Sequence, residues 1–247
     1  MIGAGPPLLL IAGQASDRRV WELVRDDFAA RYRVISFDHR GTGDSDKPDA
    51  LYSTRGFADD AIAVLDAAGA ARAHVYGISM GGRIGQWLAV AHRERLAALV
   101  LGCTTPGNAH GVRRPRAVDP VLMSGVPAKM RPFLVTDAWH HAHPELLALL
   151  EAAGHDRTPS FARRLHFTAS EQHDVWDLLP AVTTPTLVIH GDADQVNVVD
   201  NAHLLAARIP SAELHLIAGG LHYYFVENRP EATDIVLDFL ARNAVRA

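Results

Sequence analysis

The chain has 247 residues, 48% of them hydrophobic, with 24 Lys and Arg against 28 Asp and Glu for a net charge of -4. The length suits one α/β domain with an insertion. The charge offers no surplus for a nucleic-acid backbone, and the single Cys103 excludes a disulfide framework or a cysteine zinc site. No stretch is long enough to span a bilayer, and no Lys or Arg precedes the apolar run at 8–12, so a soluble, cytoplasmic chain with no membrane partner is expected.

The first predicted strand, 8–12, runs into Ala12-Gly13-Gln14, a strand-end loop whose glycine lets the backbone approach a ligand closely. A helix is predicted at 21–30 from its apolar 3–4 spacing, then a strand at 33–38. Gly41-Thr42-Gly43 follows. It is a fragment of a dinucleotide loop at most, since the third glycine is replaced by Asp46, and it reads as a tight turn. A second helix is predicted at 57–68 and a strand at 73–78.

Gly77-Ile78-Ser79-Met80-Gly81 then has the G-x-S-x-G form that presents a nucleophilic serine on a sharp strand-to-helix turn. The flanking glycines are needed because a side chain there would collide with the neighbouring strand or helix. The predicted helix at 81–92 completes strand, turn, helix, and it sets the Ser79 hydroxyl near a helix N-terminus that favours developing negative charge.

After a strand at 96–102 the alternation breaks. Residues 104–184 hold no convincing strand but carry amphipathic pieces at 144–153 and 161–170, the pattern of an inserted helical lid. Arg113, Arg114, Arg116 and Arg131 fall within it as cations for a substrate carboxylate. Arg113 and Trp139 are the substrate contacts expected there. His140, His141 and His143 crowd the same segment without recognisable ligand spacing, so no metal or other cofactor is expected.

The alternation resumes with a strand at 186–191 leading into Asp192-Ala193-Asp194, a helix at 201–208, a strand at 212–217 leading into Ala218-Gly219-Gly220-Leu221-His222, and a helix at 230–243. A serine hydroxyl needs a histidine base, and that base needs an acid to fix its tautomer. Ser79, Asp194 and His222 supply these in chain order, with Asp192 as the other acid in reach. Two backbone amides would receive the charge of a tetrahedral intermediate: Met80, directly after the nucleophile, and Gln14, in the loop after the first strand.

The elbow at 77–81, Asp38-His39-Arg40-Gly41-Thr42-Gly43-Asp44-Ser45, the 191–194 loop and the 219–222 loop together resemble the α/β-hydrolase superfamily over nearly the whole chain. The stretch from Gly77 to Ala89 is similar to 3-oxoadipate enol-lactonases and related bacterial esterases. The resemblance implies a mostly parallel sheet with helices on both faces, a core of 1–103 and 185–247, and a lid of 104–184. It implies hydrolysis of a small carboxylic ester or lactone through an acyl-enzyme on Ser79. Related members use the same triad for C–C bond hydrolysis or haloperoxidase-type perhydrolysis, and others are small-molecule binders.

Two departures from the family stand out. Ala12 replaces the usual histidine before Gly13, and the chain starts too near the first strand for the usual N-terminal hairpin. The sheet is therefore expected to lack two edge strands, leaving an edge for a second subunit of a homo-oligomer to cover, or else the natural start lies upstream.

Overall fold

Strands that are apolar at nearly every position, rather than at every second one, are those buried on both faces of a parallel sheet. The structure, a computed structural model, describes residues 1–155, 157–210 and 212–244. Among these, β1 (Pro7–Ile11), β2 (Arg33–Ser36), β3 (Ala73–Ile78), β4 (Leu96–Gly102), β5 (Thr186–Gly191) and β6 (Glu213–Ile217) form one sheet. Its order is β2-β1-β3-β4-β5-β6, and every neighbouring pair is parallel.

In β1, Leu8 and Leu10 pack with Trp21, Phe28 and Phe239, whereas Leu9 and Ile11 pack with Phe57, Leu65 and Leu88. β4 divides in the same way, with Ala98 and Val100 on the first face and Leu99 and Leu101 on the second. The twofold period of extended chain thus builds two core layers from one apolar run.

Helix α1 (Arg25–Ala29) lies on the first face, and α2 (Thr54–Ala67) and α3 (Met80–Ala91) lie on the second. Between β4 and β5 come α4 (Val118–Ser124), α5 (Pro127–Leu134), α6 (Asp137–Ala142), α7 (Pro144–His155) and α8 (Ser160–Glu171), then a 3-10 turn at Trp176–Ala181. After β5 follow α9 (Asp200–Arg208), β6, α10 (Tyr224–Glu227) and α11 (Arg229–Arg242), the last packing beside α1.

The helix predicted at 21–30 is divided into a 3-10 turn at Arg18–Trp21 and α1. The Asp17 side chain caps that turn by accepting from the Arg19 amide, and burial of Val20 and Trp21 anchors it. β2 stops at Ser36, short of the expected 38. The Asp38 carboxylate instead accepts the amides of Arg18 at 2.8 Å and Asp44 at 2.9 Å, drawing the chain into a loop. At the β2 edge, Ile2 and Val34 exchange two backbone hydrogen bonds in one antiparallel bridge.

Among the described residues no helix is long and apolar enough to cross a membrane. The chain moves from β1 outward to β2 and then back to β3 on the other side of β1. That reversal opens a crevice at the carboxyl ends of β1 and β3, the place where open α/β sheets bind ligands.

Candidate active site

Ser79 stands at this crevice, between the end of β3 and the start of α3. Its φ of 54° lies in the left-handed region, which costs a non-glycine residue about 1–3 kcal/mol and persists only where the surroundings enforce it. They do so here. The Ser79 amide donates to the Gly102 carbonyl at 2.9 Å, and its carbonyl accepts from Thr104 Oγ1 at 2.7 Å. A Cβ on Gly77 would overlap the Gly81 carbonyl, and one on Gly81 would overlap the Ile11 carbonyl, so both flanking glycines are fixed by backbone contacts.

The loops after β5 and β6 bring Asp194 and His222 together. His222 Nδ1 donates to Asp194 Oδ2 at 2.7 Å, and both residues are buried. The other carboxylate oxygen accepts the amides of Val196 at 2.7 Å and Asn197 at 3.0 Å. Burial by itself would raise the Asp194 pKa, but the charges and hydrogen bonds of His222 and His190 outweigh it and hold the carboxyl below the usual carboxylate range. Asp192, the other acid of the loop, accepts the Gly219 amide at 2.7 Å. The His222 loop is tied to the end of α5, since the amides of His222 and Tyr223 donate to the carbonyls of Phe133 at 3.2 Å and Leu134 at 2.9 Å.

The loop after β1 lies against the serine: a Cβ on Gly13 would stand 3.9 Å from Ser79 Oγ. Gln14 lines the same cavity as Ser79, and Met80 is the first residue of α3, where amides have no acceptor within the helix.

Two buried histidines hold this loop. His39 Nε2 donates to the Ala12 carbonyl at 3.1 Å. His166, on α8, accepts from the Ala15 amide on Nδ1 at 3.3 Å and donates from Nε2 to the Arg40 carbonyl at 2.8 Å, which fixes a neutral tautomer. Burial lowers the His39 pKa and lowers that of His166 to about 3. Neither role was visible in the sequence, because both partners are distant in the chain.

A cavity of about 320 Å³ opens over Ser79, with Gly13, Gln14 and His222 on the side of the sheet. Met123, Met130, Leu134, Leu147 and Phe167 face it from the segment between β4 and β5. Apolar walls with a few convergent polar groups are the usual build of a small-molecule site.

Neither Trp139 nor Arg113 lines the cavity over Ser79. Trp139 stacks on His143 at 4.9 Å and packs against the first core layer, while Arg113 lines an adjoining cavity. Arg131, Arg163 and Arg164 line the main cavity, joined by Arg83 and Arg114, which line both. Arg83 was not singled out from sequence, although a lone charge inside the apolar α3 stretch marks it. His141 and His143 each bond a carbonyl of their own helix, at 2.6 and 3.0 Å. Among the described residues no three His, Cys, Asp or Glu side chains are grouped to hold a metal ion.

A strained serine and a hydrogen-bonded acid–histidine pair, lining one cavity at the carboxyl edge of a parallel sheet covered on both faces, define the class of alpha/beta-fold hydrolases. The chain belongs to that family: residues 6–229 match the model described as alpha/beta hydrolase fold. It is similar to the 2-hydroxymuconate semialdehyde hydrolase of Pseudomonas sp. (strain CF600), at 34% identity over 97% of this chain and 88% of the relative. Among solved structures it resembles the enol-lactonase from Burkholderia xenovorans LB400, with a TM-score of 0.85 and 25% identity over 97% of this chain and 92% of that one. It also resembles Est816, described as an N-acyl homoserine lactone degrading enzyme, with a TM-score of 0.80 and 31% identity over 97% and 95% of the two chains.

Proposed function

We propose that the protein hydrolyses a small carboxylic ester or lactone through an acyl-enzyme on Ser79, with His222 as base and Asp194 as the acid that orients it. The observation that carries this reading is the 2.7 Å hydrogen bond from His222 Nδ1 to Asp194 in the cavity that also holds Ser79. With Nδ1 committed, Nε2 is the nitrogen left to take a proton.

In the first half-reaction Ser79 Oγ bonds to the carbonyl carbon and its proton passes to His222 Nε2. The carbonyl oxygen becomes an oxyanion received by the amides of Met80 and Gln14. Collapse of that intermediate breaks the bond to the alkoxy oxygen, which takes the proton from His222. Water then repeats the sequence: it gives a proton to His222, adds to the acyl carbon, and releases the acid as Ser79 regains its proton. Residues 104–184 act as a lid that excludes water and sets substrate preference over a core of 1–103 and 185–247, with no metal or cofactor required.

The lactone-degrading names of two solved neighbours support this reading. One observation favours a second, C–C bond hydrolysis by the same side chains: the relative at 34% identity is named for a semialdehyde rather than an ester. A panel of activated esters, lactones and vinylogous ketone substrates, run on the native protein and on Ser79→Ala, tests both. Turnover of esters or lactones that is lost in Ser79→Ala supports the first reading. Turnover confined to the ketones supports the second, and full ester activity in Ser79→Ala overturns the acyl-enzyme.

A further inference from the structure

Beside the cavity over Ser79 lies a second one, of about 830 Å³, and the two share a wall that includes Arg83, Arg114 and Asn197. The charges on this second cavity are unevenly matched. Arg114 is neutralised by Asp119 at 2.6 Å and Glu171 at 2.7 Å. Arg113 and Arg116 are exposed at its rim, and neither has a hydrogen bond or ion pair with another described residue.

Arg83 is the more telling group. It is 3% exposed, and its guanidinium donates only to neutral acceptors: the Ser170 carbonyl at 2.5 Å, Ser170 Oγ at 2.6 Å and Thr105 Oγ1 at 2.8 Å. Its Nε is buried with no partner. Burial lowers its pKa to about 10, so it remains a cation at neutral pH. A buried cation whose bonded partners are all neutral, with only the negative charge of Glu171 acting on it from nearby, is costly to hold and is stabilised by a further anion. In a chain of net charge -4, three arginines without a bonded carboxylate on one cavity would focus an anionic ligand there.

We infer that the second cavity is an anion subsite, in which Arg83, Arg113 and Arg116 take an oxyacid group, carboxylate or phosphate, at the far end of a substrate whose carbonyl lies at Ser79. This deepens the ester or lactone reading and rests on it for the position of the carbonyl. Arg83 follows Ser79 by four residues and lines both cavities, so one small substrate can reach from the serine to the arginine. Guanidinium groups suit both oxyacids because their donors match paired oxygens.

Isothermal titration calorimetry at low ionic strength with glutarate and, separately, inorganic phosphate tests the subsite without any turnover. The native protein is expected to bind at least one of them, and the anion that binds identifies the oxyacid. Binding should weaken at least tenfold in an Arg113→Gln/Arg116→Gln double variant, whose exposed positions leave the core intact. In parallel, the ratio of kcat/KM for mono-p-nitrophenyl glutarate to that for p-nitrophenyl butyrate should exceed one in the native protein if glutarate binds, and should fall at least tenfold in the double variant. Binding of neither anion, or unchanged affinity in the double variant, overturns the subsite. Arginine-dependent binding without turnover of either ester supports the subsite and counts against the ester reading alone.

Discussion

The Ala15 amide donates to Nδ1 of His166 at 3.3 Å across 151 residues of chain, joining the loop after β1 to helix α8. The same ring donates to the Arg40 carbonyl, so one neutral imidazole fastens the amide loop beside Ser79 to both the insertion and the body. His166→Gln can keep only one of these bonds. It is expected to lower stability by about 1–3 kcal/mol, the cost of a buried group left unsatisfied. It should also lower kcat roughly tenfold with little change in KM. Urea unfolding and steady-state kinetics check both. A stability loss with kcat unchanged would reduce His166 to packing.

The two acids of the β5 loop have separate partners, His222 for Asp194 and the Gly219 amide for Asp192. Asp194→Asn presents an amide in place of the carboxylate and is expected to lower kcat on the order of 10³–10⁴-fold by favouring the wrong histidine tautomer. Asp192→Asn keeps an oxygen for Gly219 and should cost less than about tenfold. Equal losses in the two variants would contradict the assignment.

Stability should fall as the pH drops below about 7. Burial lowers the pKa of His166 to about 3 and that of His74 to about 4, and it also lowers those of His39 and His173. Below the ordinary histidine value of 6.5 the unfolded chain takes up protons that the folded one refuses. Stability is therefore full above about pH 7 and declines as pH falls toward the folded values, by up to about 1.4 kcal/mol per pH unit for a group such as His166. Urea midpoints at pH 7.5 and pH 5 measure the decline. Both ring nitrogens of His74 lack partners, so His74→Phe should shrink the difference between the two midpoints.

Gly77→Ala and Gly69→Ala separate steric need from conformational preference. At Gly77 an added Cβ meets backbone of the elbow, whereas at Gly69, with φ of 63°, nothing lies within 4 Å. Gly69→Ala should cost about 1–2 kcal/mol for its left-handed backbone, and Gly77→Ala should cost more than 3 kcal/mol or yield no folded protein. Thermal melts of the two variants decide it.

The strands and the elbow were legible because their signals are local. Ala73–Ile78 is a short apolar run, and Gly77, Ser79 and Gly81 stand at fixed offsets. The pairing of His222 with Asp194 rather than Asp192 was open in the sequence, since two acids in one loop differ in direction rather than spacing. His39 and His166 reach carbonyls and amides in remote segments, and no periodicity encodes such a pairing. Trp139 shows the opposite case. Its partner His143 is four residues on, a helical spacing that ties the ring to its own segment and away from the cavity.

Two carbonyls of the segment between β4 and β5, at Phe133 and Leu134, receive the amides of His222 and Tyr223. Grafting a foreign insertion between β4 and β5 would therefore do more than reshape the pocket. Unless the donor segment returned two carbonyls to the same points, the histidine loop would lose its mooring, and a chimera built to change selectivity would displace the proposed base as well.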